Sequence, residues 1–134
     1  MIYALMFAIS VHILSAVFWA GSSFTLARTG SRDGSQLFPA QMGAATIAVL
    51  SGIYLWTQLH AAGFGKGELI LAIGAGCAIL ASGLQGALCG PAIRARRRGT
   101  LAVSQAEARI AVGQRIGSGL LAVTIICMAI SRYV

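Results

Sequence analysis

Few side chains in this sequence of 134 residues could do chemistry in an apolar setting. The foremost is His12, in the middle of an apolar run from Ile2 to Leu26. If that run crosses a bilayer, His12 lies about 15 Å deep at ~1.5 Å rise per residue, near the midplane. An ionisable group is costly at that depth, so it is read as functional, with a partner to be found. Two turns further on the same face stands Trp19, followed by Gly21, and Ser15 shares the face with both. The remaining amide and charged side chains well inside the apolar runs are Gln41, Gln85, Gln114 and Arg115. No Asp or Glu lies inside such a run. That disfavours proton-coupled antiport through a buried carboxylate, and hydrolysis by a carboxylate acid–base pair.

Three chemistries are open to these residues. A neutral imidazole is an ordinary axial ligand of haem iron, and an arginine suits a propionate. Helical rise places Arg115 about 9–10 Å from His12 in depth, with the three glutamines in the same half, so a haem on His12 could reach Arg115, Gln85 and Gln114. Copper is the second: Cys77, Cys127, Met6 and Met128 fall at depths near His12, and soft ligands select Cu(I). The third is structural. His12 then hydrogen-bonds a neighbouring helix, Arg115 snorkels to the surface, and Trp19 is a packing residue. His60 lies about 12–15 Å from His12 along the membrane normal. Two axial ligands of one iron are about 4 Å apart, twice a metal–imidazole bond, so these two histidines do not share an iron within one chain.

The elements that position these residues follow from composition. Hydrophobic residues make up 57% of the chain and charged ones 10%, with mean hydropathy +0.83. Soluble domains carry roughly 25% charged residues, so this is a membrane protein. Apolar runs near Phe38–Leu59, Leu69–Leu88 and Ile110–Ile130 join the first and use nearly the whole sequence. The expectation is an all-α, integral membrane four-helix bundle, a single domain with helices at about 2–28, 39–60, 68–90 and 108–132. A polar, turn-rich stretch covers Thr29 to Gln36, Pro39 opens the second helix, and Gly90-Pro91 ends the third. Tyr54, Trp56 and His60 form an interfacial belt. The first run lacks the basic n-region and small-residue cleavage site of a signal peptide.

Net charge is +7, unevenly spread. Arg94, Arg96, Arg97, Arg98 and Arg109 crowd the third connection, and Arg28 and Arg32 the first, whereas Lys66 in the second is balanced by Glu68. The positive-inside rule puts the Arg-rich loops in the cytoplasm and both termini outside, in a bacterial inner membrane. In so apolar a chain the run 94–98 is a topology signal touching membrane lipid, not a nucleic-acid patch. The three cysteines make no CxxC pair and no disulfide framework. The pairs Gly86/Gly90 and Gly113/Gly117 have small-xxx-small spacing, suited to close packing within the bundle or across a homodimer, or to a slot for a planar ligand.

The segment His12-Ile-Leu-Ser-Ala-Val-Phe-Trp19-Ala-Gly21 resembles the first helix of the copper-resistance protein D family. It is also similar to HemJ-type protoporphyrinogen oxidases, which have a His and a Trp at this separation. Pro39-Ala-Gln-Met-Gly43 and Leu50-Ser-Gly52 fit the same general pattern. HemJ-type enzymes carry a Lys early in the third helix, and Lys66 lies in that neighbourhood, within Gly65-Lys-Gly-Glu68. The resemblance implies a membrane b-type cytochrome-like bundle in which His12 ligates haem or metal while Trp19 and Gly21 pack the pocket. The expectation is therefore haem b binding with a redox or haem-handling role, served by a redox partner or quinone. Whether the chain is an oxidoreductase stays open. The alternatives are a copper-handling permease or chaperone, and a cofactor-free structural subunit of a membrane complex.

Overall fold

A computed structural model describes residues 1–29, 34–60 and 63–134. Four long helices follow one another: α1 (Ile2–Thr29), α2 (Gly34–Leu59), α3 (Lys66–Arg97) and α4 (Val103–Ile130), with a 3₁₀ turn at Ser131–Tyr133. Each is long and apolar enough to cross a membrane. The shortest has 26 residues, about 39 Å at 1.5 Å per residue, against a hydrocarbon core of roughly 30 Å. The chain is thus an all-helical bundle with the composition of a multi-pass membrane protein.

Three boundaries differ from those expected. α2 begins at Gly34 and holds Pro39 inside its second turn, where the missing N–H frees only the carbonyl of Ser35, the second residue of the helix. α3 continues through Pro91 to Arg97. The missing Pro91 N–H frees only the Ala87 carbonyl, and the helix carries on for six residues beyond the proline, to Arg97. Glycine closes α3 only at Gly99, whose φ of +70° is the left-handed cap. Gly99 N–H donates to Arg96 O and Thr100 N–H to Ala95 O, the two bonds of a Schellman motif. α4 then begins at Val103, before Glu107. Of the turn expected between Thr29 and Gln36, Gly34 to Gln36 are helical, while residues 30–33, Arg32 among them, lie outside the described residues.

Large apolar side chains such as Phe7, Leu14, Val17, Leu50, Leu80 and Ile126 point outward, and the interior is mostly small and polar residues around a few large ones, Trp19, Leu26, Ile93, Ile110 and Leu121. That inversion is what a bilayer requires: lipid solvates leucine as well as a core does, so helices associate by close backbone approach and hydrogen bonds. The helices form a ring, α1–α2–α3–α4, with the α3–α4 seam the most extensive and α2–α3 the least. Glycines make the α3–α4 seam. A Cβ on Gly74 would stand 2.9 Å from Cys127 Cβ, and one on Gly113 the same distance from Cys89 Sγ. Gly86 meets nothing within 4 Å, so of the two spaced pairs only Gly113/Gly117 works as a packing stripe.

The core is lopsided. Buried residues of α1 are Trp19, Ala20, Ser23 and Leu26; those of α2 are Gly34, Gln41, Ala45 and Ala48. All lie toward the end where the α1–α2 and α3–α4 connections are. Toward the termini, contacts such as Gly74 against Thr124 join α3 to α4.

Candidate functional site

His12 sits just beyond this core, one turn above Ala16, half-buried against α2. Its Nδ1 is 2.9 Å from the Ala48 carbonyl oxygen and 3.1 Å from Ser51 Oγ. A carbonyl can only accept, so Nδ1 carries the proton and donates it. Nε2 is then left with its lone pair, the arrangement that orients a metal-binding imidazole. Among the described residues Nε2 has no hydrogen-bond partner, and it is not one of the buried unpartnered atoms, so it reaches the surface of the chain. Gly52 makes room for the ring: a Cβ there would lie 3.1 Å from His12 Cε1. Ala48, Ser51 and Gly52 were missed as site residues. The cue was Ser51-Gly52, a hydroxyl beside a space, at the matching depth on α2.

Trp19, Gln85 and Gln114 do converge, but on one another. Trp19 is 2% exposed, and the three glutamines Gln41, Gln85 and Gln114 are fully buried. Trp19 Nε1 donates to Gln85 Oε1 at 2.7 Å, and Gln85 Nε2 donates to Ser23 Oγ at 2.9 Å and Gln114 Oε1 at 3.2 Å. Gln114 Nε2 donates to Gln41 Oε1 at 2.9 Å. Gln41 Nε2 in turn faces Ser22 Oγ, Ser23 Oγ and Gln114 Oε1 at 3.1, 3.3 and 3.4 Å. Each helix contributes, and the bonds cross both diagonals of the ring, α1 to α3 and α2 to α4. None of the amide atoms in this cluster is left buried and unpaired. Such a bond between membrane helices is worth about 0.6 kcal/mol on average, so the cluster stabilises the bundle by a few kcal/mol. Fully satisfied, such a network also rigidifies the core it joins.

The expected neighbourhood of His12 is thereby divided. Ser15 returns its hydroxyl to its own helix, at Val11 O and His12 O. Arg115 is exposed on the outer side of α4, while the buried stripe of that helix runs through Ile110, Gly113, Gln114, Gly117 and Leu121. Gly113 and Gln114 together fill the inward arc, and Arg115, a further 100° round the helix, falls outside it. Gly21 has nothing within 4 Å of its Cβ position. Two open surface cavities, one beside Arg94 and one between α2 and α3, are not lined by His12, and the amide cluster lies two turns or more further along the bundle. His12 Nε2 is therefore approached from the surface of the chain, and not through the amide cluster.

The sulfur ligands also scatter. Cys127 packs on Gly74, Cys89 is buried against Gly113 and Ile110, and Cys77 is half-buried, all as free thiols. Among the described residues no three His, Cys, Asp or Glu side chains converge. His60 stacks on Trp56 with ring centroids 5.1 Å apart, at the far end of α2. The chain matches no protein-family model, no curated protein and no solved structure.

Proposed function

We propose that this chain is a membrane haem b protein of the bacterial inner membrane in which His12 Nε2 is an axial ligand on the flank of the α1–α2 pair. The observation that carries the reading is the His12 Nδ1–H bond to Ala48 O, with Gly52 leaving space for the ring. An imidazole held in that tautomer, at mid-span and with Nε2 free, is built as a donor atom. Bound haem supplies one-electron redox chemistry, and the residues of this chain set the depth and orientation of the ligand. In this reading the Arg-rich ends of α3 and α4 face the cytoplasm and both termini the outside, as the charge distribution favours. Trp19, Gln85 and Gln114 act at one remove, by fixing the helices that carry His12.

The test is the visible spectrum of detergent-purified protein, oxidised and dithionite-reduced, with a pyridine haemochrome assay. Sharp reduced α and β bands that disappear in His12→Ala support the reading. Full occupancy in His12→Ala overturns the ligand assignment. A chain that stays colourless when haem is supplied overturns the cofactor. The second reading, a structural subunit without cofactor, is favoured by the self-satisfied amide cluster, which asks for no ligand, and a colourless chain would move it to the front.

A further inference from the structure

At the basic end of α3 an open groove of about 330 Å³ is lined by Pro91, Arg94, Ala95, Arg98 and Thr100. The Schellman cap builds its wall. Gly99 turns the chain back, and Thr100 is pinned over Ala95 by both its N–H, at 3.0 Å, and its hydroxyl, at 3.1 Å. Arg94 and Arg98 are one turn apart on the exposed face. The same end carries Arg96, Arg97 and Arg109, and Arg96 has a guanidinium nitrogen that is buried with no partner among the described residues. Glu107, the nearby carboxylate on α4, is itself engaged and can offset only one of these five charges. The groove therefore selects an anion, and two guanidiniums one turn apart suit a phosphate.

What lies above the groove identifies the anion's carrier. Gly83, Ala87, Pro91, Arg94 and Arg98 form one exposed stripe along α3 at spacings of three and four residues. At Gly83 the stripe enters a second cavity of about 340 Å³, walled by Met42, Ala45, Thr46, Val49 and Leu50 of α2 and by Ser82. This furrow exists because α2 and α3 are the least packed neighbours in the ring. Gly83 and Pro91 are eight residues apart, about 12 Å along the axis. Arg94 leans toward the same side: its Nη2 and the Phe38 ring of α2 both flank Gly90. A basic groove, a shallow apolar path and an apolar furrow thus lie in line along one seam of the bundle.

We propose that this seam binds one anionic phospholipid, its phosphate between Arg94 and Arg98 and an acyl chain along Ala87 into the α2–α3 furrow. The furrow without the arginines would hold any lipid tail, and the arginines without the furrow any phosphate. Their alignment is what selects the phospholipid.

The test uses the full chain, purified and delipidated in a mild detergent, with dioleoyl phosphatidylglycerol, dioleoyl phosphatidylcholine and inorganic phosphate as probes. Native mass spectrometry reads retained lipid per chain, and titration gives affinity. Phosphatidylglycerol should bind with preference over phosphatidylcholine, and Arg94→Gln/Arg98→Gln should weaken it by about thirtyfold, two basic residues near a membrane surface being worth roughly that. Arg28→Gln/Arg97→Gln removes the same charge from other exposed positions and should leave the affinity within about threefold. Gly83→Leu, which fills the furrow, should weaken phosphatidylglycerol and leave phosphate unaffected. Equal binding of the two lipids overturns the proposal, as does an equal effect of the two arginine pairs. Phosphate competing as strongly as the lipid, or Gly83→Leu binding normally, reduces the seam to an anion site and overturns the acyl path. Circular dichroism of each variant shows that the helices persist.

Discussion

Replacing Gly117 by Ala puts one methyl group into the amide cluster. The added Cβ would lie 2.5 Å from Gln85 Nε2 and 2.8 Å from both Gln85 Cδ and Cγ. A backbone seam cannot yield that much, so the Gln85 side chain must leave its place and its bonds to Trp19, Ser23 and Gln114 are lost. At about 0.6 kcal/mol for each bond between membrane helices, this costs roughly 2 kcal/mol. The Trp19 N–H, stranded in a site that is 2% exposed, adds about 1–3 kcal/mol. Alanine returns at most about 1 kcal/mol through its better helix propensity. The expected net loss is about 2–4 kcal/mol, measured by unfolding in mixed micelles followed by circular dichroism. Gly119→Ala, two residues along, meets nothing within 4 Å and should range from neutral to about 1 kcal/mol stabilising. In a Gln85→Ala background the clash is gone, so Gly117→Ala should cost less than about 1 kcal/mol, a strongly non-additive cycle. Additive losses, or a Gly117→Ala chain as stable as the native one, would refute the cluster as the centre of the fold.

Three other outcomes are expected. Gly52→Leu should displace the His12 ring and lower haem per chain as far as His12→Ala does, whereas Gly43→Leu, with open space at its Cβ, should leave occupancy unchanged; pyridine haemochrome assays compare them. Trp19→Phe removes the donor to Gln85 and leaves Oε1 buried, so the bundle should lose about 1–3 kcal/mol in the same unfolding assay, with helix content unchanged. An alkaline phosphatase reporter fused after Val134 should be active and one fused after Gly99 inactive, as cytoplasmic Arg-rich loops require; the reverse pattern would overturn the orientation.

How much of this the sequence carries depends on the kind of signal. Four spans were legible because hydropathy over some twenty residues is a sum, insensitive to any one position. That Gln41, Gln85 and Gln114 share one half of the bundle was legible too, since helical rise is fixed. Azimuth was not. Gln114 and Arg115 have the same depth, and only the glycine stripe Gly113/Gly117 says which of them faces α3. Trp19 was read beside His12, which shares its face, but its partner Gln85 lies diagonally across the ring and leaves no local trace. Pro91 was taken as a helix end because proline usually is one. Here it removes one N–H and the helix carries on to Arg97, where the basic run and Gly99 close it. The tautomer of His12 depends on a backbone carbonyl 36 residues away, which side-chain types cannot announce.

The crossing amide bonds also bear on how the chain is assembled. Neither hairpin satisfies its own glutamines: Gln85 and Gln114 bond each other only in part, and Gln41 has serines of α1 beside it but needs Gln114 for its carbonyl oxygen. An inserted α1–α2 pair waiting for its mate therefore holds amide groups that lipid cannot solvate. Each pair is drawn to the other by groups it cannot satisfy alone, so the final docking step is directional and late. Residues 1–60 and 63–134 made as separate polypeptides carry the same unmet demand, and should recombine in the membrane into the four-helix form.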